Sequence, residues 1–335
     1  MAAFEWCDAH IDLAYLALSG RDMTVPLERA EGPPQPAAVT LPSLFEGGVR
    51  WAFGTIFTGA GYEGVGGYER GDAEGAHRHG LAQLDVYRRW EDEGLLKIVK
   101  TKSELEKSSF GGAPLNVILL MECADPIRTP DEAQWWFEQG VRLVGLSWAT
   151  GSRYAGGNGA PGPLAAEGKD LVSAFDELGI IHDVSHLPDE SIEGLLSATS
   201  GDVIASHSNS RTLMGEGQRH LNDIYIAEIG KRGGVVGLNL CGSFITPEKK
   251  NATIEESVAH VAHVAEIMGR RTGVGLGSDM DGGFGADVLP TGIDKPSDLD
   301  KLAEGLLSTG WSETEARGFA WKNWLDLLTR NLPAP

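Results

Sequence analysis

The stretch IIHDVSHLPDESIEGLLSATSGDVIASHS, residues 180–208, holds two short apolar runs that each finish in histidine, His186 and His207, with a helix-type segment between them. Runs this short and continuously apolar read as strands buried on both faces. A strand, a helix and a second such strand make one parallel crossover unit.

The same rhythm continues in both directions. FEWCDAH (4–10), VRWAFGTIFT (49–58), NVILLMECAD (116–125) and VRLVGLSW (141–148) precede IIHDVSH (180–186) and DVIASHS (202–208); GVVGLNLCG (234–242) and TGVGLGSDMDG (272–282) follow. Helix-type segments lie between most of them, and several end in glycine, a helix-stop signal. Eight such repeats predict an α/β fold, a (β/α)8 barrel of the TIM type, as a single domain over residues 1–335. A doubly wound sheet is the alternative, but no G-x-G-x-x-G follows the first run. The Gly-rich stretches 59–71, 151–162 and 282–292 fall after strand-type runs, where a barrel carries its active-site loops.

The 335 residues, 41% hydrophobic and 23% charged, suffice for one large buried core. With 28 basic against 48 acidic side chains the formal charge is −20. That balance repels phosphate backbones and anionic lipid, so neither nucleic acid nor a membrane is expected as a partner. Cys7, Cys123 and Cys241 are widely spaced, lie in apolar runs and read as small core residues. No basic-then-apolar leader and no apolar run of about 18 residues occurs, so the expected location is cytoplasmic.

Groups able to bind metal or move protons collect at the strand ends. His10 and Asp12, two residues apart, point to the same side of a strand about 6.6–6.8 Å apart, within reach of one ion. Glu122 closes a run of five apolar residues, where an unpaired carboxylate would be costly to bury. His186 and His207 end successive strands, and in GLGSDMDGG Asp279 reads as the chemical group and Asp281 as the turn-former. A barrel brings such ends to one rim. Imidazole and carboxylate without thiolate suit zinc or a similar divalent ion, and the count suits two ions. Elsewhere, His77 and His79 read as solvated and His182 as a core or supporting residue. His260 and His263, with Glu256, mimic a metal-binding helix face, but on a helix expected to coat the outside of the barrel.

The ordered set DAHID at 8–12, Glu122, GPLAAEGKDLVSAFDELGIIHDVSH at 162–186, VIASHSNSR at 203–211, QRHLND at 218–223 and GLGSDMDG at 275–282 resembles the membrane (renal) dipeptidase family of the amidohydrolase superfamily, over about Asp8 to Leu328. The resemblance implies two zinc ions, one on His10 and Asp12, the other on His186 and His207, with Glu122 bridging them. It implies cleavage of the amide bond of dipeptides, or of similar carboxylate-bearing amides, by a metal-activated hydroxide. Asp279 would be general base and then acid, and Arg219 the holder of the substrate carboxylate. Family members are often dimers, so a homodimer is implied too.

Two departures bear on the substrate. Where the family usually has a histidine for the nascent oxyanion, this chain has Trp148, whose indole donates one hydrogen bond and carries no charge. The loop from His207 to Arg219 is one residue longer than usual, and His220 replaces the usual asparagine beside the arginine. The alternative function is therefore a metal-binding relative with lost or redirected catalysis, acting on another small amide or lactone or serving as a binding or scaffold protein.

Overall fold

A computed structural model of the chain describes residues 4–108, 114–248 and 252–334. The eight apolar runs become strands β1 Trp6–Ile11, β2 Val49–Phe57, β3 Leu115–Glu122, β4 Val141–Gly145, β5 Ile181–Asp183, β6 Val203–Ile204, β7 Val236–Leu238 and β8 Val274–Leu276. They pair in the order β7-β8-β1-β2-β3-β4-β5-β6. Every pairing along that path is parallel.

The cylinder closes just past β6, where Ala205 bridges Val236 in parallel. At that seam the Ala205 N–H donates to the Val235 carbonyl at 3.1 Å and the Gly237 N–H to the Ala205 carbonyl at 2.8 Å. A Cβ on Gly237 or Gly277 would stand 1.9 or 1.8 Å from the Ser206 carbonyl oxygen, so this close approach of backbones requires glycine. The barrel expected from the sequence is thus the fold, and the doubly wound alternative is excluded.

Crossover helices α1 Leu41–Glu46, α2 Ala73–Asp92, α3 Ala133–Gln139, α4 Ala166–Leu178, α5 Asp189–Ala198, α6 Asp223–Lys231 and α7 Ile254–Met268 follow β1 to β7 in turn, and α8 Asn323–Asn331 comes after β8. Glycines stop α3, α4 and α7 in the left-handed conformation, where a side chain would be strained. At the start of α7 the Glu256 carboxylate accepts from the Thr253 N–H at 2.8 Å in a capping box. The helix start thus occupies Glu256, while His260 is buried, accepting from the Ser210 N–H at 3.1 Å and bonding the Ile245 carbonyl at 2.9 Å. His77, expected in solvent, is half-buried, with Nδ1 2.8 Å from the Pro126 carbonyl and its ring against Trp136.

Strand alternation divides the core into two layers. On β3, Val117, Leu119 and Met121 face the helices, while Ile118 and Leu120 fill the interior with Cys7, Phe53 and Ile181. Glu122 continues the inward parity and emerges at the carboxyl-end mouth. At the opposite end Trp324 of α8 plugs the barrel: its Nε1–H donates to the Leu276 carbonyl at 2.9 Å. It occupies the space a Cβ on Gly275 would need.

Asp281 does more than shape a turn. Its carboxylate forms a fully buried ion pair with Arg21 and accepts from the N–H groups of Ala38 and Val39 at 2.9 and 2.8 Å, fastening the long segment after β1 to the end of β8. Asp281→Ala strands a buried guanidinium, and a loss of about 3–5 kcal/mol is expected, read as a lower urea midpoint.

Asp176 of α4 ties that helix to β5 by accepting from His182 at 2.7 Å, Thr199 at 2.6 Å and the Ser200 N–H at 3.0 Å. Burial works to raise its pKa, but these bonds outweigh it and hold the carboxyl at about 2. A folded value below the unfolded one of about 3.9 gives stabilisation that is present above about pH 4 and lost as pH falls toward 2. Asp176→Asn is expected to lower the urea midpoint at pH 6 more than at pH 3.

Candidate metal centre and cavity

The chemical residues converge as the barrel requires. His10 Nε2 lies 3.6 Å from Glu122 Oε2 and 4.0 Å from Asp279 Oδ1. Glu122 Oε1 lies 3.1 Å from His186 Nε2 and 3.5 Å from His207 Nε2, and those two nitrogens are 3.0 Å apart. The His10 and His207 rings stack with centroids 3.6 Å apart. Donor atoms fall within 4.8 Å of one another in two groupings, His10 with Glu122 and His207, and His10 with Asp12 and Asp279. His10 belongs to both, so the donors form one continuous cluster. Its place there depends on an irregularity in β1: the register against β2 slips between Asp8 and Ile11, so the inward parity of Cys7 and Ala9 is broken and His10 reaches the mouth.

Backbone strain marks the same rim. Cys123, His186, Asp279 and Asp281 have φ of 77°, 68°, 59° and 65°, a left-handed conformation that side chains rarely adopt and that clusters at functional sites. The turn at Asp279 also depends on Gly282, whose Cβ would stand 1.9 Å from Asp279 Oδ1.

Each donor is oriented by a partner. Asp12 accepts from the Thr55 hydroxyl, and Asp279 Oδ2 accepts from the Asn239 amide at 2.9 Å. His186 Nδ1 donates to Asn158 Oδ1 at 2.9 Å, and Asn158 is fixed in turn by its own N–H on the His186 carbonyl at 2.8 Å. His207 Nδ1 lies 2.7 Å from Ser206 Oγ, which donates to Asp183 Oδ2 at 2.5 Å and therefore accepts from the ring. Both rings thus turn an Nε2 lone pair toward the carboxylate of Glu122.

The electrostatics sharpen this. Burial, followed by the charge of Arg219, lowers His186 to about 4, and burial with the charges of His10 and Arg219 lowers His207 well below its usual range. Both rings are neutral at pH 7. Burial opposes an imidazolium at His10, but Glu122 beside it holds that pKa up at about 10. Burial pushes Asp279 up to about 7, opposed by His10 and reinforced by Asp12 and Glu122. Lone pairs facing an anionic oxygen among three buried carboxylates fit a bound cation. Neutral imidazoles whose far nitrogens are hydrogen-bonded are the usual form of metal-ligating histidine.

The cluster floors a cavity of about 370 Å³. Arg219 and Trp148 both line it, whereas His220 is not among its lining residues; that ring packs against Phe244 at 5.5 Å. Arg219 is buried, spends its terminal nitrogens on Ser208 Oγ at 3.1 Å and the His207 carbonyl at 2.9 Å, and keeps an Nε with no protein partner. Sequence reasoning missed Asp183, Ser206, Asn158 and the lining residues Tyr15, Phe57 and Tyr62. For Asp183 and Ser206 a signal existed, since each lies two residues beyond an inward apolar residue, Ile181 or Ile204.

No helix among the described residues is long and apolar enough to cross a membrane. A closed parallel barrel with histidines and carboxylates gathered at its carboxyl-end mouth defines the class, a barrel of the metal-dependent hydrolase type. Residues 1–331 match the model of the membrane dipeptidase family, peptidase family M19, and the chain belongs to that family. An uncharacterized dipeptidase of Schizosaccharomyces pombe is 29% identical over 199 residues, 58% of this chain and 48% of that protein. The match thus spans about half the length of that relative. A metallopeptidase from Rhodobacter sphaeroides, solved with a phosphinate mimic of the dipeptide L-Ala-D-Ala, superposes with a TM-score of 0.83 at 24% identity, covering 98% of this chain and 99% of that one. An amidohydrolase from Pseudomonas aeruginosa gives 0.77 at 18% identity over 98% and 96% of the two chains. At these identities the likeness to solved structures is one of fold.

Ser206→Ala cuts the link between His207 and Asp183 while leaving the backbone bonds of Asp183 in place. A roughly 10-fold or greater loss of divalent-metal affinity is expected, measured by competition with a chromophoric chelator.

Proposed function

We propose that the protein is a dinuclear zinc hydrolase that cleaves the amide bond of dipeptides. The observation that carries this reading is the cluster of Asp12, Glu122, Asp279 and two neutral histidines on the floor of a cavity that also presents a buried guanidinium. His10 and Asp12 would hold one ion, His186 and His207 the other, with Glu122 between them. Bound there, zinc supplies Lewis acidity for the scissile carbonyl and lowers the pKa of water toward neutrality.

The chain's own residues do the rest. Arg219 takes the substrate's terminal carboxylate, for which a planar guanidinium with a free Nε–H is suited. Asp279, held near neutrality by burial, accepts the proton of the attacking water and returns it to the departing amine. Asn239 fixes one of its oxygens and leaves the other free for that transfer. Thr55 holds Asp12 in place.

Trp148 supports a second reading, a family member that binds metal with little catalysis. The usual oxyanion donor is missing there, and loss of such a donor costs roughly 10²–10³ in rate. Zinc-loaded protein assayed against L,L and L,D dipeptides is expected to release free amino acids. If none is cut while zinc is demonstrably bound, the dipeptidase reading is wrong. Trp148→His then discriminates: activity that appears only in the variant supports the binding protein, and activity lost from an active parent supports a re-specified pocket.

A further inference from the structure

The cavity has a wall that the metal chemistry does not use. Trp148 meets Phe57 edge-to-face at 5.1 Å and 82°, and Tyr62 at 5.5 Å and 77°. Phe57 meets Tyr62 at 5.4 Å and 88°, and Tyr15 at 5.6 Å and 89°. The two tyrosine hydroxyls, 2.8 Å apart, bond each other. The rings hold one another in place, so the wall is rigid before any ligand arrives. A Cβ on Gly59 would stand 3.0 Å from Tyr62 and 3.2 Å from Trp148, so glycine there leaves the rings their space.

We infer that this wall, formed by Tyr15, Phe57, Tyr62 and Trp148, is a specificity subsite for an aromatic side chain on the amino-terminal residue of the dipeptide. The inference rests on the dipeptidase reading. The order of strands around the barrel sets the direction. Tyr15, Phe57, Tyr62 and Trp148 follow or end β1, β2 and β4, whereas Arg219 follows β6 on the other side. The donor cluster lies between them, with the Trp148 ring 6.1 Å from His186. A substrate whose carboxylate sits on Arg219 and whose scissile carbonyl sits over the donors must direct its acyl-side residue to the wall. Phe244 lines the cavity too, but with the Arg219 guanidinium stacked 5.1 Å over it the ring belongs to the carboxylate end of the site.

The chemistry of the lining narrows the side chain further. Among the described residues the acidic groups lining the cavity are Asp12, Glu122 and Asp279, all in the donor cluster, and Arg219 is its one cation. The wall therefore offers no charge to a basic or acidic side chain, and burying one there without a partner is unfavourable.

The test uses zinc-loaded protein and the dipeptides Phe-Ala, Trp-Ala, Ala-Ala, Asp-Ala and Ala-Phe. kcat/KM for Phe-Ala and Trp-Ala is expected to exceed that for Ala-Ala and Asp-Ala about 10–100-fold, with Ala-Phe no better than Ala-Ala. Trp148→Ala and, separately, Tyr62→Leu are expected to collapse the ratio of Phe-Ala to Ala-Ala. That ratio is independent of the fraction of protein that is active. A flat ranking, or Ala-Phe preferred over Phe-Ala, overturns the subsite while leaving a dipeptidase standing. If no dipeptide is cut, the dipeptidase reading falls, and the same ranking read as dissociation constants by calorimetry still decides the wall.

Discussion

Glu122 Oε1 stands 3.1 Å from one imidazole nitrogen and 3.5 Å from another, and neither ring offers it a proton. The hydrogens of His186 and His207 are committed to Asn158 and Ser206 on the far side. Electron pairs and negative charge therefore meet in a space from which bulk water is largely removed, and the arrangement is favourable only around positive charge. In the protein alone His10 supplies part of that charge, its ring held protonated by the acids around it. The supports make sense in this light. They fix donors in orientations that the donors would not choose for one another, and the left-handed backbones at His186 and Asp279 belong to the same expense.

The supports also explain how a site drawn from strands far apart in sequence stays in register. Asp183 accepts from the backbone N–H groups of Ser185 and Ser206, both at 2.9 Å, as well as from the Ser206 hydroxyl. One carboxylate thus couples the ends of β5 and β6 and sets the tilt of His207. Arg21 and Asp281 do the equivalent across the β8–β1 seam. Rigidity of this kind is what a metal centre needs from its scaffold, since small displacements of ligands change affinity.

The fold was legible in the sequence because a parallel strand covered on both faces must be continuously apolar, and all eight runs carried that mark. Glu122 was legible for a related reason: a carboxylate at the end of such a run has to be answered. What escaped was set by three-dimensional coincidence. Asn158 sits in a Gly-rich loop with no periodicity to place it, and Tyr15, on the short helix Leu13–Leu18, meets Tyr62 of the loop after β2 only because β1 and β2 pair side by side. Asp183 stands three residues before the more conspicuous His186, and only the fold shows its carboxylate joining the ends of β5 and β6. The metal-like spacing of His260, His263 and Glu256, set aside in the sequence because it falls on an outer helix, has other uses in α7: Glu256 caps the helix and His260 is hydrogen-bonded to backbone. The tie between Arg21 and Asp281 joins residues 260 positions apart, beyond any local pattern.

Trp324 lies inside the same apolar cluster as Cys7 of β1 and Phe53 of β2. A residue from the last helix described therefore shares an interior with the first two strands, and β1 also pairs with β8. During synthesis, β1 to β7 are exposed for many seconds before either partner leaves the ribosome, with the β1 and β7 edges that β8 will join unpaired and the interior open at its base. Completion of the barrel is consequently a late, long-range event. The mouth that gathers the histidines and carboxylates is incomplete until that event, because Asp279 follows β8, the strand that arrives last.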